Sequence, residues 1–272
     1  MARSAIKTCV LRRGRPVMAW VCALFAATTV CLASDPDEDD DEATSWYEKT
    51  VSAEEANREA WAGAEAFKHV WSLYTGSTYA PFGNLRQDGL RTRAVSAMSQ
   101  YTYGGRRFDP VTGDAIWQNF RGAGRTTDVL VGYQGRLSDI TWKLFVGYQH
   151  AVVMLGPYDP ETTVQGARHG AKGALELWYN LTPSQWASLD LTYATPFRSF
   201  SHRLRVATKA TDAISVGAEA AAFGHQEGST RRVGAFLRYD NGTHEVSGSV
   251  GWSMPRGDSG HAYGTVQWLY RF

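Results

Sequence analysis

With ten Trp, 27 Gly and 12% aromatic residues, this 272-residue chain is too rich in rings to stay disordered, and its glycine content suits strongly curved sheets. Its 28 basic and 27 acidic side chains nearly cancel, so the charge pattern of a nucleic-acid partner is absent. The three cysteines, Cys9, Cys22 and Cys31, all precede residue 34, which leaves no Cys-based metal site in the rest of the chain.

Residues 1–33 read as a signal peptide. Arg3, Lys7, Arg12, Arg13 and Arg15 precede the apolar run from Val17 to Ala33, and Cys31, Leu32 and Ala33 form a small-x-small site before Ser34. An uncleaved anchor is the alternative, since the run reaches the lower limit for a helical span. Cleavage removes five basic residues and every cysteine, so the exported chain is acidic and forms no stray disulfide in an oxidising compartment. Residues 34–60 follow as an acidic and polar linker. Its first part, DPDEDDDE at 35–42, holds seven acids in eight residues, a block that repels itself and stays solvated.

From Trp61 onward, segments of about ten residues alternate in polarity, the period of a β-strand with two unlike faces. In ITWKLFVGYQHAVVM, Ile140, Trp142, Leu144, Val146, Tyr148 and Val152 share one face, while Thr141, Lys143 and Gln149 share the other. AKGALELWYNL sets Leu175, Leu177 and Tyr179 against Lys172 and Glu176, and RRVGAFLRYD sets Val233, Leu237 and Tyr239 against Arg232 and Arg238. The last residues, GTVQWLYRF, place Val266, Trp268, Tyr270 and Phe272 in one row. Counting segments near 61–68, 70–82 and 89–103 gives twelve strands, an even number that fits an all-β, transmembrane antiparallel barrel over 61–272. The connections expected to be short lie near 83–88, 138–139, 182–185, 210–212 and 240–243, and the last carries the hairpin pair Asn241-Gly242. Longer connections are expected at 104–124, 155–168, 224–230 and 255–260. A soluble sandwich is the competing fold. The aromatics near strand ends (Trp142, Trp252, Trp268) favour a membrane girdle, and GTVQWLYRF then faces lipid as the closing strand.

The segments DVLVGYQGRL (128–137), VQGARHGAKGALELWYNL (164–181), DLTYATPFRSFSHRLRVATK (190–209) and HAYGTVQWLYRF (261–272) together resemble the cellulose biosynthesis protein BcsS family. The resemblance spans about residues 61–272. It implies a barrel in the outer membrane of a Gram-negative bacterium that serves cellulose biosynthesis, export or surface retention as a secretion accessory. It implies as partners outer-membrane lipid, cellulose or another β-glucan and other cellulose-secretion components, with no catalytic residue to transfer. A small-solute channel and an outer-membrane hydrolase of lipid or polysaccharide are the alternatives.

No HExxH or close histidine pair of metal-ligand spacing occurs, and no cofactor or metal is expected. Ser201 and His202 are sequence neighbours and so lie on opposite faces of a strand. On the strand register, Asp128, Arg136, Lys143, Lys172, Glu176, Asp190, Arg203, Arg205, Glu219, Arg232, Arg238, Glu245 and Arg271 project into the lumen. They form either a salt-bridged plug or the lining of a narrow pathway. In the expected long loops, Phe108, Trp117, Phe120 and Tyr158 stand among acids including Asp159. Rings that stack on the C–H faces of a glucan, beside carboxylates that bond to its hydroxyls, make these the candidate glucan contacts. The tetrapeptide VGYQ occurs at 131–134 and 146–149, a repeat expected to be structural, with each Tyr ring covering the backbone of a neighbouring strand.

Overall fold

Alternating polarity gives every segment one apolar and one polar face, and a closed cylinder is the arrangement that hides the polar faces while leaving no sheet edge. The computed structural model, which describes residues 55–108, 112–257 and 259–272, has this form. In chain order the strands are β1 (Arg58–Phe67), β2 (Val70–Tyr79), β3 (Gly89–Phe108), β4 (Ala115–Leu137), β5 (Ile140–Gly156) and β6 (Gly166–Thr182). They continue as β7 (Gln185–Ala194), β8 (Ser199–Lys209), β9 (Ile214–His225), β10 (Gly228–Asp240), β11 (His244–Pro255) and β12 (His261–Arg271). Each pairs antiparallel with its chain neighbours, and β1 pairs with β12 to close the barrel. The amides of Arg58 and Phe272 each donate to the other residue's carbonyl at 2.9 Å, so both ends of the barrel domain lie at one end of the cylinder, here called the base. The opposite end is the mouth. Residues 1–54, which contain the expected signal peptide and most of the linker, lie outside the described residues.

The outer face is apolar. Val129, Val131, Leu144, Val146, Val233, Leu237, Val250 and Val266 are exposed along it, with Tyr133, Tyr193, Trp252 and Trp268 toward its margins. No strand-borne carboxylate among the described residues points outward: Glu59, Glu65, Asp128, Glu176, Asp190, Glu219, Asp240 and Glu245 all sit on lumen-facing positions. An apolar exterior around a charged interior is the polarity of a barrel that spans a lipid bilayer.

Three expected boundaries change. Residues 104–124 are mostly sheet, because β3 and β4 stay paired from Gly89↔Gln134 to Phe108↔Ala115 and rise as a tall hairpin above the other strands. The polar stretch 224–230 is a tight turn at Gln226-Glu227, with the β9–β10 ladder running out to His225↔Gly228. At the base, 80–88 is a folded nine-residue segment, held by Gln134, whose Nε2 donates to the Leu85 carbonyl at 2.9 Å. Buried Arg91 also donates there, to the Asn84 carbonyl at 3.1 Å and to that of Gln87.

The VGYQ repeat works differently from expectation. Gly132 and Gly147 face the lumen, and both Tyr rings face outward. A Cβ on Gly147 would lie 2.1 Å from the Val129 carbonyl oxygen, and one on Gly132 would strike the Leu144 carbonyl and the Phe145 ring. It is therefore Phe145, fully buried with Leu130 and Ala174, that covers the wall where the glycines leave room.

Candidate functional site: the lumen and its mouth

Strand parity builds the lumen. β3 presents Arg91 and Arg93 inward, β6 presents Lys172, Glu176 and Trp178, and β12 presents Tyr263, Gln267 and Arg271. Some of these side chains reach strands that are not their neighbours. Arg93 grips Glu176 through both guanidinium nitrogens, the longer contact being 3.2 Å, and lies 3.9 Å from the Phe145 ring centroid. Lys143 lies 3.8 Å from Glu176 and 4.0 Å from Glu59. Arg232 bonds Glu65, three strands away around the wall, at 2.8 Å, its guanidinium held among the rings of Phe67, Phe223 and Tyr263 at 4.3–4.9 Å. The remaining ion pairs are more local. Lys172 pairs with Asp128, Arg203 with Asp190 at 2.8 Å, and Arg205 with Glu219. Nearer the base, Arg238 and Arg271 share Asp240 and Glu245.

Each charge placed in the lumen from sequence thus takes a lumen-facing position. Arg136 differs in its surroundings: it is exposed at the basal rim and donates to the Arg86 carbonyl. The sequence reading missed Glu59, Glu65, Arg91, Arg93, Arg107 and Asp240. The Arg91-x-Arg93 alternation at the start of β3 was the available signal for Arg93. Between the paired groups a cavity of about 660 Å³ remains in the middle and lower lumen. A second cavity of about 310 Å³, lined by Tyr101, Ala151, Val164, Phe197 and Phe223, lies below the mouth.

The mouth is crossed by residues 157–165, a strap between β5 and β6 that is fixed at two points. Toward one side, Asp159 is fully buried. It accepts bonds from Arg107 Nε at 2.8 Å, Arg107 Nη2 at 2.6 Å and Tyr103 Oη at 2.7 Å, all on the tall hairpin. The Arg107 guanidinium holds this carboxyl at a pKa of about 2, below the usual 3.8, against the opposing effect of desolvation. Toward the other side, Glu227 in the β9–β10 turn accepts from the Thr163 amide and hydroxyl, both at 2.6 Å, and from the Thr162 hydroxyl. Its pKa is lowered by these bonds, although desolvation is the largest single influence and opposes them. Between the two fixings, Val164 packs on Ala151 and Phe197. Phe197 takes a left-handed backbone, with φ of 52°, in the 3₁₀ turn Pro196–Arg198.

The five residues expected to contact glucan divide here. Phe108, Trp117 and Tyr158 are exposed at 74%, 67% and 70%. Phe120 is fully buried, stacked on Tyr103 at 5.0 Å, because its position on β4 faces inward. Asp159 is equally enclosed and already bonded, so neither of these two offers a free surface. Trp117 lies over Gly104, where any Cβ would come within 2.6 Å of the indole, so the missing side chain lets the ring lie flat on the hairpin. Ser201 faces the lumen and His202 the exterior, as their adjacency requires. Among the described residues no group of three or more His, Cys, Asp or Glu is placed to hold a metal ion.

Comparison with known families supplies the identification. The model of the family described as "Cellulose biosynthesis protein BcsS" matches residues 60–272, nearly all of the described chain. This chain belongs to the BcsS family. No curated protein matches it. Among solved structures, the BcsS barrel is similar to a deletion mutant of the monoaromatic hydrocarbon channel TodX, at 10% identity and a TM-score of 0.48, covering 80% of this chain and 90% of that one. It is also similar to the β-domain of the Bordetella autotransporter BrkA, at 13% identity and a TM-score of 0.46, covering 80% and 100% of the two chains. The KdgM porin matches at 8% identity and a TM-score of 0.44, covering 79% and 99%.

Proposed function

We propose that this BcsS protein is a non-enzymatic outer-membrane accessory of cellulose production that holds glucan at the extracellular mouth and does not thread it through the lumen. The observation that carries this reading is the set of ion pairs that cut through the lumen between strands three apart in the ring. Arg93 to Glu176 and Arg232 to Glu65 join strands that are not neighbours, and a passing polymer would have to break them. Breaking a largely buried pair leaves an uncompensated charge at a cost of about 3–5 kcal/mol. The strap adds a second obstruction. Outside it, Phe108, Trp117 and Tyr158 present flat faces on the hairpin and strap, the geometry that glucose rings need for stacking. On this reading a cleaved signal peptide exports the chain, both termini of the barrel lie on the periplasmic side, and the acidic linker precedes the first strand.

The test is an in-frame deletion complemented with the wild type or with the triple variant Phe108→Ala/Trp117→Ala/Tyr158→Ala, with cell-bound and shed cellulose quantified separately. The expected result is a shift from bound to shed polymer in the deletion, reproduced by the triple variant at an unchanged level of folded barrel. An unchanged total and partition in the deletion, in cells whose parent makes cellulose, overturns the accessory role. A second reading, a small-solute channel, draws on the charged cavity of about 660 Å³. It predicts steady single-channel conductance in planar bilayers, where the accessory reading predicts at most brief, small openings.

A further inference from the structure

The exterior holds a charge pattern that neither the lumen nor the aromatic rim uses. With no strand-borne carboxylate facing outward, the outward charge on the described strands is cationic: Arg58 at the base, and Arg106, Arg121, Arg125 and Arg231 near the mouth. Three of these four lie in one sector, on β3 and β4. Their height is set by register. On β4 the outward apolar row runs from Leu137 through Val131 to Val129, and on β5 it runs from Ile140 to Tyr148, which pairs with Val129. At roughly 3.3 Å per residue and a tilt near 40°, that row is about 20 Å tall, approaching the apolar band of a membrane barrel. The next outward pair is Thr127 and His150, and His169 pairs directly with His150 on the other side; one outward position higher on β4 stands Arg125, beside Val152, and Arg121 stands two outward positions above Arg125. All four side chains are exposed, and Tyr148 stacks on His169 at 6.0 Å at the boundary. Arginines and imidazoles at the upper margin of an apolar belt, with no strand-borne acid on that face, meet lipid headgroups at the level where the belt gives way to polar positions.

We infer that Arg121, Arg125, His150 and His169 form a binding site for the phosphate groups of an outer-leaflet glycolipid. The arginine forks and imidazole N–H groups supply donors to the phosphate oxygens, and the apolar row below takes the acyl chains. This proposal rests on the outer-membrane placement alone and is independent of any contact with glucan.

The experiment uses the purified barrel in phosphatidylcholine nanodiscs containing either lipid A or the same lipid after removal of its phosphates. Retained lipid is counted by native mass spectrometry. Preferential retention of the phosphorylated form is expected. Each arginine contributes roughly fivefold, so Arg121→Gln/Arg125→Gln lowers retention roughly thirtyfold, while Arg231→Gln, six strands away around the barrel, changes it little. Equal retention of both lipids overturns the site. So does an equal loss in Arg231→Gln, because diffuse surface charge is then sufficient. Heat-modifiable migration on a gel reports folding. If the glutamine variant does not fold, Arg121→Ala and Arg125→Ala are measured singly, and retention at the wild-type level in both overturns the site. A negative result here leaves the cellulose partition unchanged, so the two proposals fail separately.

Discussion

Replacing Glu176 with Gln tests whether the cross-lumen ties stabilise the barrel. Glu176 is 29% exposed and Arg93 only 9%, so the arginine is the partner left stranded. Arg93 keeps Thr78 Oγ1 at 3.2 Å and the Phe145 ring, and Lys143 keeps Glu59, which moderates the loss. Breaking a buried pair costs about 3–5 kcal/mol, and these residual contacts bring the expectation to about 2–3 kcal/mol. Unfolding in urea, read by tryptophan fluorescence and by heat-modifiable migration, should then show a midpoint lower by roughly 1 M. Asp240→Asn is the comparison, because Glu245 remains to bond both Arg238 and Arg271, and it should cost less than about 1 kcal/mol. The double variant Arg93→Met/Glu176→Leu removes both charges and should recover most of the loss. Equal costs for Glu176→Gln and Asp240→Asn, or strict additivity in the double variant, would refute the reasoning.

The remaining predictions concern the strap and the wall. Asp159 has a folded-state pKa of about 2 against 3.8 when free, so its contribution is fully present above pH 3.8 and is lost as pH falls toward 2. Hydrogen exchange of the strap amides should accelerate in that window while the strand amides stay protected. Releasing both fixings with Asp159→Asn/Glu227→Gln should lengthen and enlarge openings in planar bilayers, and conductance identical to the wild type would remove the strap from the permeation barrier. In the wall, Gly147→Ala places a Cβ 2.1 Å from a backbone oxygen and should lower the yield of folded barrel. Gly264→Ala meets nothing within 4 Å and should leave that yield unchanged.

Two-residue alternation made the strands and the lumen charges legible, since one period decides both pairing and face. Arg203, Arg205, Glu219 and Arg238 could be placed inward before any partner was known. Their partners were harder to read. Arg93 and Glu176 are 83 residues apart and on strands that do not adjoin, so only closure of the barrel brings them together. The mouth was the least legible part. Polarity marks a loop, yet 104–124 is polar because it rises above the apolar belt as paired sheet. Asp159 was read as available to a ligand, but Arg107, 52 residues away in that same stretch, had already claimed it. Phe120 was misplaced for the same reason: once its segment is strand, its even position on β4 turns it inward.

The closure of the cylinder also bears on how the chain is built. Eleven of the twelve pairings join consecutive strands and form as hairpins of short sequence separation. The β1–β12 seam alone spans the whole domain, from Glu59↔Arg271 to Phe67↔Tyr263. An open sheet of twelve curved strands already brings its edges near each other, so the entropy of that long closure is met gradually as each hairpin is added. Until the seam forms, Glu65 and Arg232 hang from opposite halves of an incomplete wall, so their ion pair marks the last step of assembly.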